Sequence, residues 1–204
     1  MFLAASVFLF FVTQVSGHGM MLSPPSRSSM WRFGFDTPPN YNDNELFCGG
    51  FAVQWDKNGG KCGICGDAYH DKRPRENEHG GKYGTGKISM QYKEGSSMPV
   101  VVRLTAAHLG HFEYHICNMD KAKETEECFS TLLLDNGTDK YNVTTGPGDF
   151  RMNVKLPKGL RCKHCVLRWH YRGGNNWGQC PDGSWALGCG PQETFRNCAD
   201  ISVV

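Results

Sequence analysis

Residues 149–156, DFRMNVKL, carry the clearest structural pattern in the chain. The apolar members of this stretch, which alternate with polar ones, are Phe150, Met152, Val154 and Leu156. Because successive side chains of a β-strand point to opposite faces, the alternation predicts a strand with one buried face. Residues 165–172, CVLRWHYR, repeat the pattern with Trp169 and Tyr171 on the apolar side. These two stretches predict that the core is built from strands.

Working outward, shorter stretches extend the same pattern. Alternation recurs around residues 88–92 and 112–116, and short apolar runs occupy residues 100–104, 131–134 and 201–204. No long amphipathic helical repeat interrupts them. About seven short strands with antiparallel patterning predict an all-β fold, an antiparallel β-sandwich of the immunoglobulin or fibronectin-III-like type. The sandwich should carry long loops, because residues 22–50 are rich in Pro, Gly and Asn and cannot form a regular strand throughout.

The first 17 residues predict export from the cell. They hold no charged side chain, and residues 2–12 are almost entirely apolar. This apolar run is too short to cross a bilayer, which takes about 20 residues. Val15 and Gly17 stand at the −3 and −1 positions of a signal-peptidase site. The sequence therefore predicts a secretory signal peptide over residues 1–17, an extracellular protein that begins at His18, and no attachment to a membrane.

Length and charge limit the remaining organisation. The chain has 204 residues, with 22 basic and 20 acidic side chains and a formal net charge of +2. No block of basic residues stands out, which argues against a nucleic-acid partner. Without a linker or an internal repeat, residues 18–204 are predicted to form a single domain, and nothing in them calls for more than a monomer.

Cysteine usage agrees with export. The ten cysteines, all after residue 17, are Cys48, Cys62, Cys65, Cys117, Cys128, Cys162, Cys165, Cys180, Cys189 and Cys198. An even number behind a signal peptide predicts five disulfides, whose pairing the sequence leaves open. The alternative is zinc, because Cys62/Cys65 and Cys162/Cys165 have the Cys-x-x-Cys spacing of zinc sites. Asn136 begins one Asn-x-Thr sequon and Asn142 another, which predicts N-glycosylation at both.

Familiar catalytic signatures are missing, and the most informative residue is His18. The sequence contains no nucleophile elbow, phosphate-binding loop or His-Glu-x-x-His zinc motif. Cleavage before His18 would give this residue two nitrogen ligands, the α-amine and the ring Nδ1. A third nitrogen from another imidazole would complete a planar set that suits copper and leaves positions open. The alternative is that the mature chain simply happens to start with histidine.

The best partner for His18 is His108. It follows the apolar run of residues 100–106 and precedes Gly110, so it should lie where a strand enters a loop. Ala106 and Ala107 leave room beside it, and rigid strand ends often carry ligands. The other histidines, which fall in predicted loops, between cysteines or on polar strand faces, are His70, His79, His111, His115, His164 and His170.

Several short motifs together resemble the lytic polysaccharide monooxygenase family. They are GHG at residues 17–19, TAAH at 105–108 and FRNCAD at 195–200. The segments that most resemble the animal, insect-type branch, auxiliary activity family fifteen, are PPSRSSMWR at 24–32, CGICGD at 62–67 and GCGPQE at 188–193. The resemblance extends over essentially the whole of the mature chain. Each motif is weak alone, and their joint order is specific.

The resemblance implies a particular metal site. His18 and His108 would form the histidine brace that holds one copper ion. Ala106 would be the small residue on one axial face of the copper and Phe195 the aromatic residue on the other. Many relatives carry Tyr at the position of Phe195, and phenylalanine has no oxygen to donate, so that axial position should be unligated. The resemblance leaves two candidates, Gln192 and Glu193, for the polar residue beside the site.

The resemblance also implies the reaction. An external electron donor would reduce the copper, and O₂ or H₂O₂ would then oxidise a sugar carbon beside a glycosidic bond, which breaks the polymer. The expected substrate is an insoluble polysaccharide, with chitin first and cellulose next. Aromatic residues that would stack on sugars, or instead pack beneath the loop, are Trp31, Phe33, Phe35 and Tyr41. The alternatives are a non-catalytic chitin- or cuticle-binding domain and a copper storage or transfer protein.

Overall fold

The computed structural model describes residues 18–204, and the predicted signal peptide lies outside these residues. The described chain consists of strands joined by long loops, as the sequence predicts. The strands are β1 (His18–Ser23), β2 (Met90–Tyr92), β3 (Ser97–Ala106), β4 (His111–Asn118), β5 (Ser130–Leu134), β6 (Tyr141–Asn142), β7 (Gly148–Lys155), β8 (Cys162–Arg172), β9 (Trp177–Gln179), β10 (Trp185–Leu187) and β11 (Thr194–Val203). Single turns of helix occur at Met30–Phe33, Val53–Lys57 and Glu126–Cys128.

Most strands belong to one sheet that curls into a β-sandwich. Their order is β1-β3-β7-β5-β4-β8-β11-β2, and β6 adds to β4. Pairing in this sheet is antiparallel except between β2 and β11, which run parallel with Met90 opposite Ile201. β9 and β10 form a separate hairpin. The predicted all-β antiparallel sandwich is confirmed, with the β2–β11 pair as its one parallel element among the described strands.

The predicted alternation explains the core. Residues 149–156 fall almost entirely within β7 and residues 165–172 within β8, and Trp169 and Tyr171 have no exposed surface. The ring of Phe112 on β4 lies 5.5 Å from that of Phe150, 5.4 Å from Trp169 and 5.0 Å from Tyr171, each in an edge-to-face arrangement. Such aromatic packing stabilises the fold beyond the area that it buries. It fixes the ends of β4 and β8, where the candidate site lies.

All ten cysteines form disulfides, so none remains for the zinc alternative. The pairs are Cys48–Cys62, Cys65–Cys198, Cys117–Cys128, Cys162–Cys165 and Cys180–Cys189. The two Cys-x-x-Cys motifs behave differently: Cys62 and Cys65 each bond a distant partner, whereas Cys162 and Cys165 bond each other. The bond from Cys65 to Cys198 joins a loop to β11 across 133 residues of sequence.

The predicted loop of residues 22–50 begins within β1, and the rest of it belongs to a long excursion between β1 and β2 that buried charges hold in place. Arg27, only 1% exposed, bonds Glu124 at 2.7 Å and Asp200 at 2.7 Å. Burial alone would raise the pKa of Asp200, but the charge of Arg27 holds it at about 2. The Arg27–Asp200 ion pair therefore stays ionised and holds the loop against β11. Across residues 18–204, no helix is long and apolar enough to cross a membrane.

Candidate metal centre

Strand pairing brings the two predicted ligands to the same end of the sheet. β1 runs antiparallel to β3, and the register places His18 opposite Ala106, the last residue of β3. His108 follows two residues later. The Thr105 hydroxyl also donates to the carbonyl oxygen of His18 at 3.4 Å. His18, Ala106 and His108 are therefore neighbours because of the β1–β3 register, although His18 and His108 are far apart in sequence.

The backbone of His108 is fixed by a tyrosine hydroxyl. The His108 N–H donates to the hydroxyl of Tyr171 at 2.8 Å, and that hydroxyl donates to the Leu109 carbonyl at 2.7 Å. Burial raises the pKa of Tyr171 to about 12, so the hydroxyl keeps its proton at neutral pH. The next residues turn sharply, with φ of 52° at Leu109 and 82° at Gly110. A Cβ on Gly110 would lie 2.0 Å from the Arg172 carbonyl oxygen, so the turn requires glycine.

The His108 ring has one satisfied nitrogen and one unsatisfied nitrogen. Its Nδ1 lies 3.0 Å from Oε2 of Glu193, and both side chains are less than one-tenth exposed. Its Nε2 is buried and has no hydrogen-bond partner. A carboxylate at Nδ1 favours the tautomer with the proton there, which leaves a lone pair on Nε2. A buried lone pair without a partner is unfavourable, and a metal ion at Nε2 would satisfy it.

His18 shows a complementary arrangement. Its Nε2 lies 3.3 Å from Oε1 of Glu45, a contact that favours the tautomer with the proton on Nε2 and the lone pair on Nδ1. Within residues 18–204, no group bonds that Nδ1. The neighbouring Gly19 N–H donates to the Asn44 carbonyl at 2.9 Å. A Cβ on Gly19 would lie 2.5 Å from Leu104 Cδ2, so the absence of a side chain lets β1 approach β3 closely.

Phe195 is a core residue at the same end of the sandwich. It has no exposed surface and lies opposite Tyr171 in the β8–β11 register. Its ring stacks on Tyr171 at 5.6 Å and on Phe47 at 6.1 Å. Phe195 is thus linked to the site through Tyr171, which bonds His108, and through Glu193, two residues upstream. Ala106 is half-buried beside His18.

The structure separates the two polar candidates beside the site. The Gln192 amide accepts from the Asn176 N–H at 3.0 Å and donates to the carbonyls of Asn176 and Cys189 at 3.0 and 2.7 Å. Gln192 therefore holds a loop, whereas Glu193 contacts His108. Sequence reasoning missed the contacts of Glu45 and Tyr171. The inward face of Tyr171 was predictable, but the partner of its hydroxyl and the position of a loop glutamate depend on tertiary structure.

Two of the four aromatic residues predicted in the first loop are exposed, and the other two, Trp31 and Phe35, are half-buried. In the first loop, Tyr41 and Phe33 are 77% and 49% exposed, while Trp31 packs edge-on against Tyr41 at 5.3 Å. The β9–β10 hairpin, which sequence reasoning did not select, exposes Trp177 by 67% and Trp185 by 61%. Both tryptophans are therefore exposed on one hairpin. The sequence signal that could have found them is a Trp on each side of Cys180.

The donor set of the site consists of nitrogen atoms. In the part of the chain that the structure describes, no group of three or more His, Cys, Asp or Glu side chains is placed to hold a metal ion. A site at His18 and His108 would gain a third nitrogen from the α-amine that the predicted cleavage before His18 would create. Two imidazole nitrogens and an amine are a set that favours copper. The residues present fit such an ion, because each ring keeps one nitrogen on a carboxylate and offers the other.

A β-sandwich with two histidines at one end of its sheet is typical of a class of copper oxidoreductases. Comparison with known proteins points to the same class. The family model described as "Lytic polysaccharide mono-oxygenase, cellulose-degrading" matches residues 18–201. The chain belongs to the lytic polysaccharide monooxygenase family. No curated protein matches its sequence significantly. Among solved structures it is similar to a lytic polysaccharide monooxygenase AA15 from Thermobia domestica in the Cu(I) state, with 48% identity and a TM-score of 0.88, over 91% of this chain and 98% of that one.

The family settles the type of chemistry. The protein is a copper-dependent polysaccharide monooxygenase, an oxidoreductase that cleaves polysaccharides and takes electrons from an external reductant. The predicted resemblance to the insect-type branch is confirmed by the AA15 structure. An enzyme is thereby favoured over the two alternatives, a non-catalytic binding domain and a copper storage protein. Members of this family are generally secreted.

Proposed function

We propose that the mature protein begins at His18 and is a secreted enzyme that binds one copper ion and cleaves chitin, with cellulose as the next substrate. The ligands are the α-amine and Nδ1 of His18 and the Nε2 of His108. The observation that carries this proposal is the buried, unpartnered Nε2 of His108 at the same sheet end as His18. It leaves a nitrogen whose need for a partner a metal ion would meet.

The surrounding residues hold the two histidines ready for the metal. Glu193 keeps the proton of His108 on Nδ1, and Tyr171 fixes the backbone from which that ring projects. By the family resemblance, Phe195 would be the aromatic residue on one side of the metal, with no donor atom, and Ala106 the small residue on the other side. When bound, copper supplies the one-electron chemistry through which O₂ or H₂O₂ can oxidise a sugar carbon beside the glycosidic bond. The protein supplies geometry and electrostatics.

The hairpin of β9 and β10 is the proposed surface for the polymer. Trp177, Trp185 and Leu187 are each more than half exposed on it, and the Cys180–Cys189 disulfide makes it rigid. Backbone hydrogen bonds connect the hairpin to the segment of the site. The Gly188 N–H donates to the carbonyl of Asn176, and the Gly174 N–H donates to the carbonyl of His108. Flat aromatic rings on a rigid support suit the flat face of a crystalline polysaccharide better than that of a small soluble sugar.

Several features support an exported, monomeric enzyme that acts on chitin. The five disulfides need an oxidising compartment. Asn136 and Asn142 are both exposed, as N-glycosylation requires. One chain supplies every proposed ligand, so a monomer suffices. The motifs shared with the animal branch favour chitin, whereas the family description names cellulose, and the two polymers differ in the acetamido group of chitin.

Product analysis tests this proposal. Copper-loaded protein that starts at His18 is incubated with β-chitin and, in parallel, with cellulose, each with and without ascorbate, and soluble products are weighed by mass spectrometry. We expect oxidised chito-oligosaccharides only when the reductant is present, and none from a His108→Ala variant. Products from cellulose alone would replace chitin by cellulose as the proposed substrate and leave the proposed copper site unchanged. No oxidised product from either polymer, with copper bound and the amino terminus verified, would overturn the proposed activity.

A further inference from the structure

Glu45 is the residue on the outer side of His18. Its Oε1 lies 3.3 Å from Nε2 of His18, and the two side chains are 40% and 28% exposed. The described part of the chain gives the Glu45 carboxylate no other partner. This contact mirrors that of Glu193 with His108 on the buried side of the site. Each imidazole of the site therefore has its own carboxylate.

The segment that carries Glu45 is held firmly against β1. The Asn44 carbonyl accepts from the Gly19 N–H, and the Asn44 amide donates to the Thr105 hydroxyl at 3.3 Å. Just before it, the fully buried carboxylate of Asp43 accepts two hydrogen bonds from Arg32. On the other side, the Phe47 N–H donates to the Glu45 carbonyl at 2.9 Å, and the ring of Phe47 stacks on Phe195.

This support means that the carboxylate of Glu45 meets His18 from a fixed backbone. A glutamate on a mobile loop would contribute little, because an exposed ion pair gains little energy and its side chain would not keep one orientation. Here the contact matters for orientation and tautomer more than for stability. A neutral imidazole that gives Nδ1 to a metal must carry its proton on Nε2, and a carboxylate at Nε2 selects that form.

We infer that Glu45 is a positioning residue of the copper site, which holds the His18 ring with its proton on Nε2 and its Nδ1 directed to the metal. This inference rests on the proposed function, because it needs His18 to be a ligand. Glu45 also places a negative charge beside the ring. That charge favours the doubly charged copper ion over the singly charged one, so Glu45 lowers the reduction potential of the bound metal.

The test compares four variants of the protein that starts at His18. Glu45→Ala removes the acceptor and the charge, and Glu45→Gln removes the charge but keeps an oxygen acceptor. Glu94→Ala is the matched control, because Glu94 pairs with Arg161 and lies just before β3, at the end opposite the site. His108→Ala tests the site itself. Each protein is assayed for Cu²⁺ affinity by competitive titration, for its Cu²⁺ electron paramagnetic resonance spectrum, and for its Cu²⁺/Cu⁺ midpoint potential.

We expect Glu45→Ala to weaken Cu²⁺ binding by about tenfold or more and to change the resonance spectrum, as loss of a partner of a ligating histidine does. Glu45→Gln should recover much of the affinity and the spectrum, while both Glu45 variants raise the potential. Glu94→Ala should match the parent. Parent-like affinity, spectrum and potential in both Glu45 variants would overturn the role of Glu45. Parent-like affinity in His108→Ala would instead overturn the copper site on which the inference depends.

Discussion

Removing the hydroxyl of Tyr171 should loosen the backbone of the site without substituting a proposed ligand. It accepts from the buried His108 N–H at 2.8 Å and donates to the Leu109 carbonyl at 2.7 Å. Tyr171→Phe removes the hydroxyl and keeps the ring that stacks on Phe195 and Trp169. The change therefore acts on the turn after β3 and leaves the packing of the core in place.

The expected cost follows from the two groups that lose their partner. The His108 N–H is buried, and an unsatisfied buried donor costs about 1–3 kcal/mol. The bond to the Leu109 carbonyl is only partly buried, so the loss there is smaller. Together the change should lower the free energy of unfolding by about 2–3 kcal/mol. In a domain of this size, that corresponds to a melting temperature lower by about 5–10 °C.

Thermal unfolding with the disulfides intact measures this cost, and Tyr114→Phe is the matched control. Tyr114 is equally buried in the same core, but its hydroxyl bonds the weakly accepting thioether of Met152 at 3.1 Å. Its loss should cost no more than about 1 kcal/mol. Tyr171→Phe should also bind Cu²⁺ more weakly, because the His108 backbone is less constrained. Equal melting temperatures for the two variants would refute the anchoring role assigned to Tyr171.

The remaining predictions concern packing, pH and metal binding. Gly19→Ala should destabilise by about 1–3 kcal/mol because its Cβ would overlap Leu104, while Gly146→Ala, with open space around it, should be neutral in the same denaturant titration. Burial lowers the pKa of His115 from 6.5 to about 4, so below about pH 6.5 the unfolded chain takes up a proton there that the folded chain does not. The free energy of unfolding should therefore decrease as the pH falls from about 6.5 to about 4. In His115→Gln, the midpoint of urea unfolding should depend less on pH in this range. The same pH dependence in the variant and the parent would contradict this role of His115. Copper binding should raise the melting temperature. At a free copper concentration 100 times Kd, the free energy of unfolding should rise by about 2.7 kcal/mol, and a chelator should reverse this gain.

The period-two patterns predicted the sandwich because the strands bury one face each. β7 is shifted by one residue from residues 149–156, and β8 contains residues 165–172 but begins three residues earlier, at Cys162. The parallel pairing of β2 with β11 was not predictable, because a three-residue strand such as Met90–Tyr92 carries too few side chains to specify its partner or direction. The disulfide pairing was out of reach for a similar reason, since it depends on which loops meet in space.

The candidate site was predictable where chemistry resides in one residue. His18 stood out from its position after the predicted signal peptide, and His108 from its position at a predicted strand end. Their carboxylate partners were harder to find, because Glu45 lies in a loop and Glu193 competed with Gln192. The β9–β10 tryptophans were missed because their segment is too short and too rich in Gly to give a periodic signal. Contacts between distant segments decide these positions, and a single sequence does not encode them locally.

The measurement that tests the central claim most directly is the Cu²⁺ affinity of two forms of the protein, one starting at His18 and one retaining Val15, Ser16 and Gly17. Three residues are retained because one or two would put the histidine second or third, where a new amine–amide–imidazole chelate can form. We predict that the extended form binds Cu²⁺ more than about 100-fold more weakly, because the α-amine of His18 has become an amide. Removing only a hydrogen-bond partner of a ligand typically weakens metal binding by about 10–100-fold. Equal affinity in the two forms would show that the α-amine is not a ligand and contradict the proposed site.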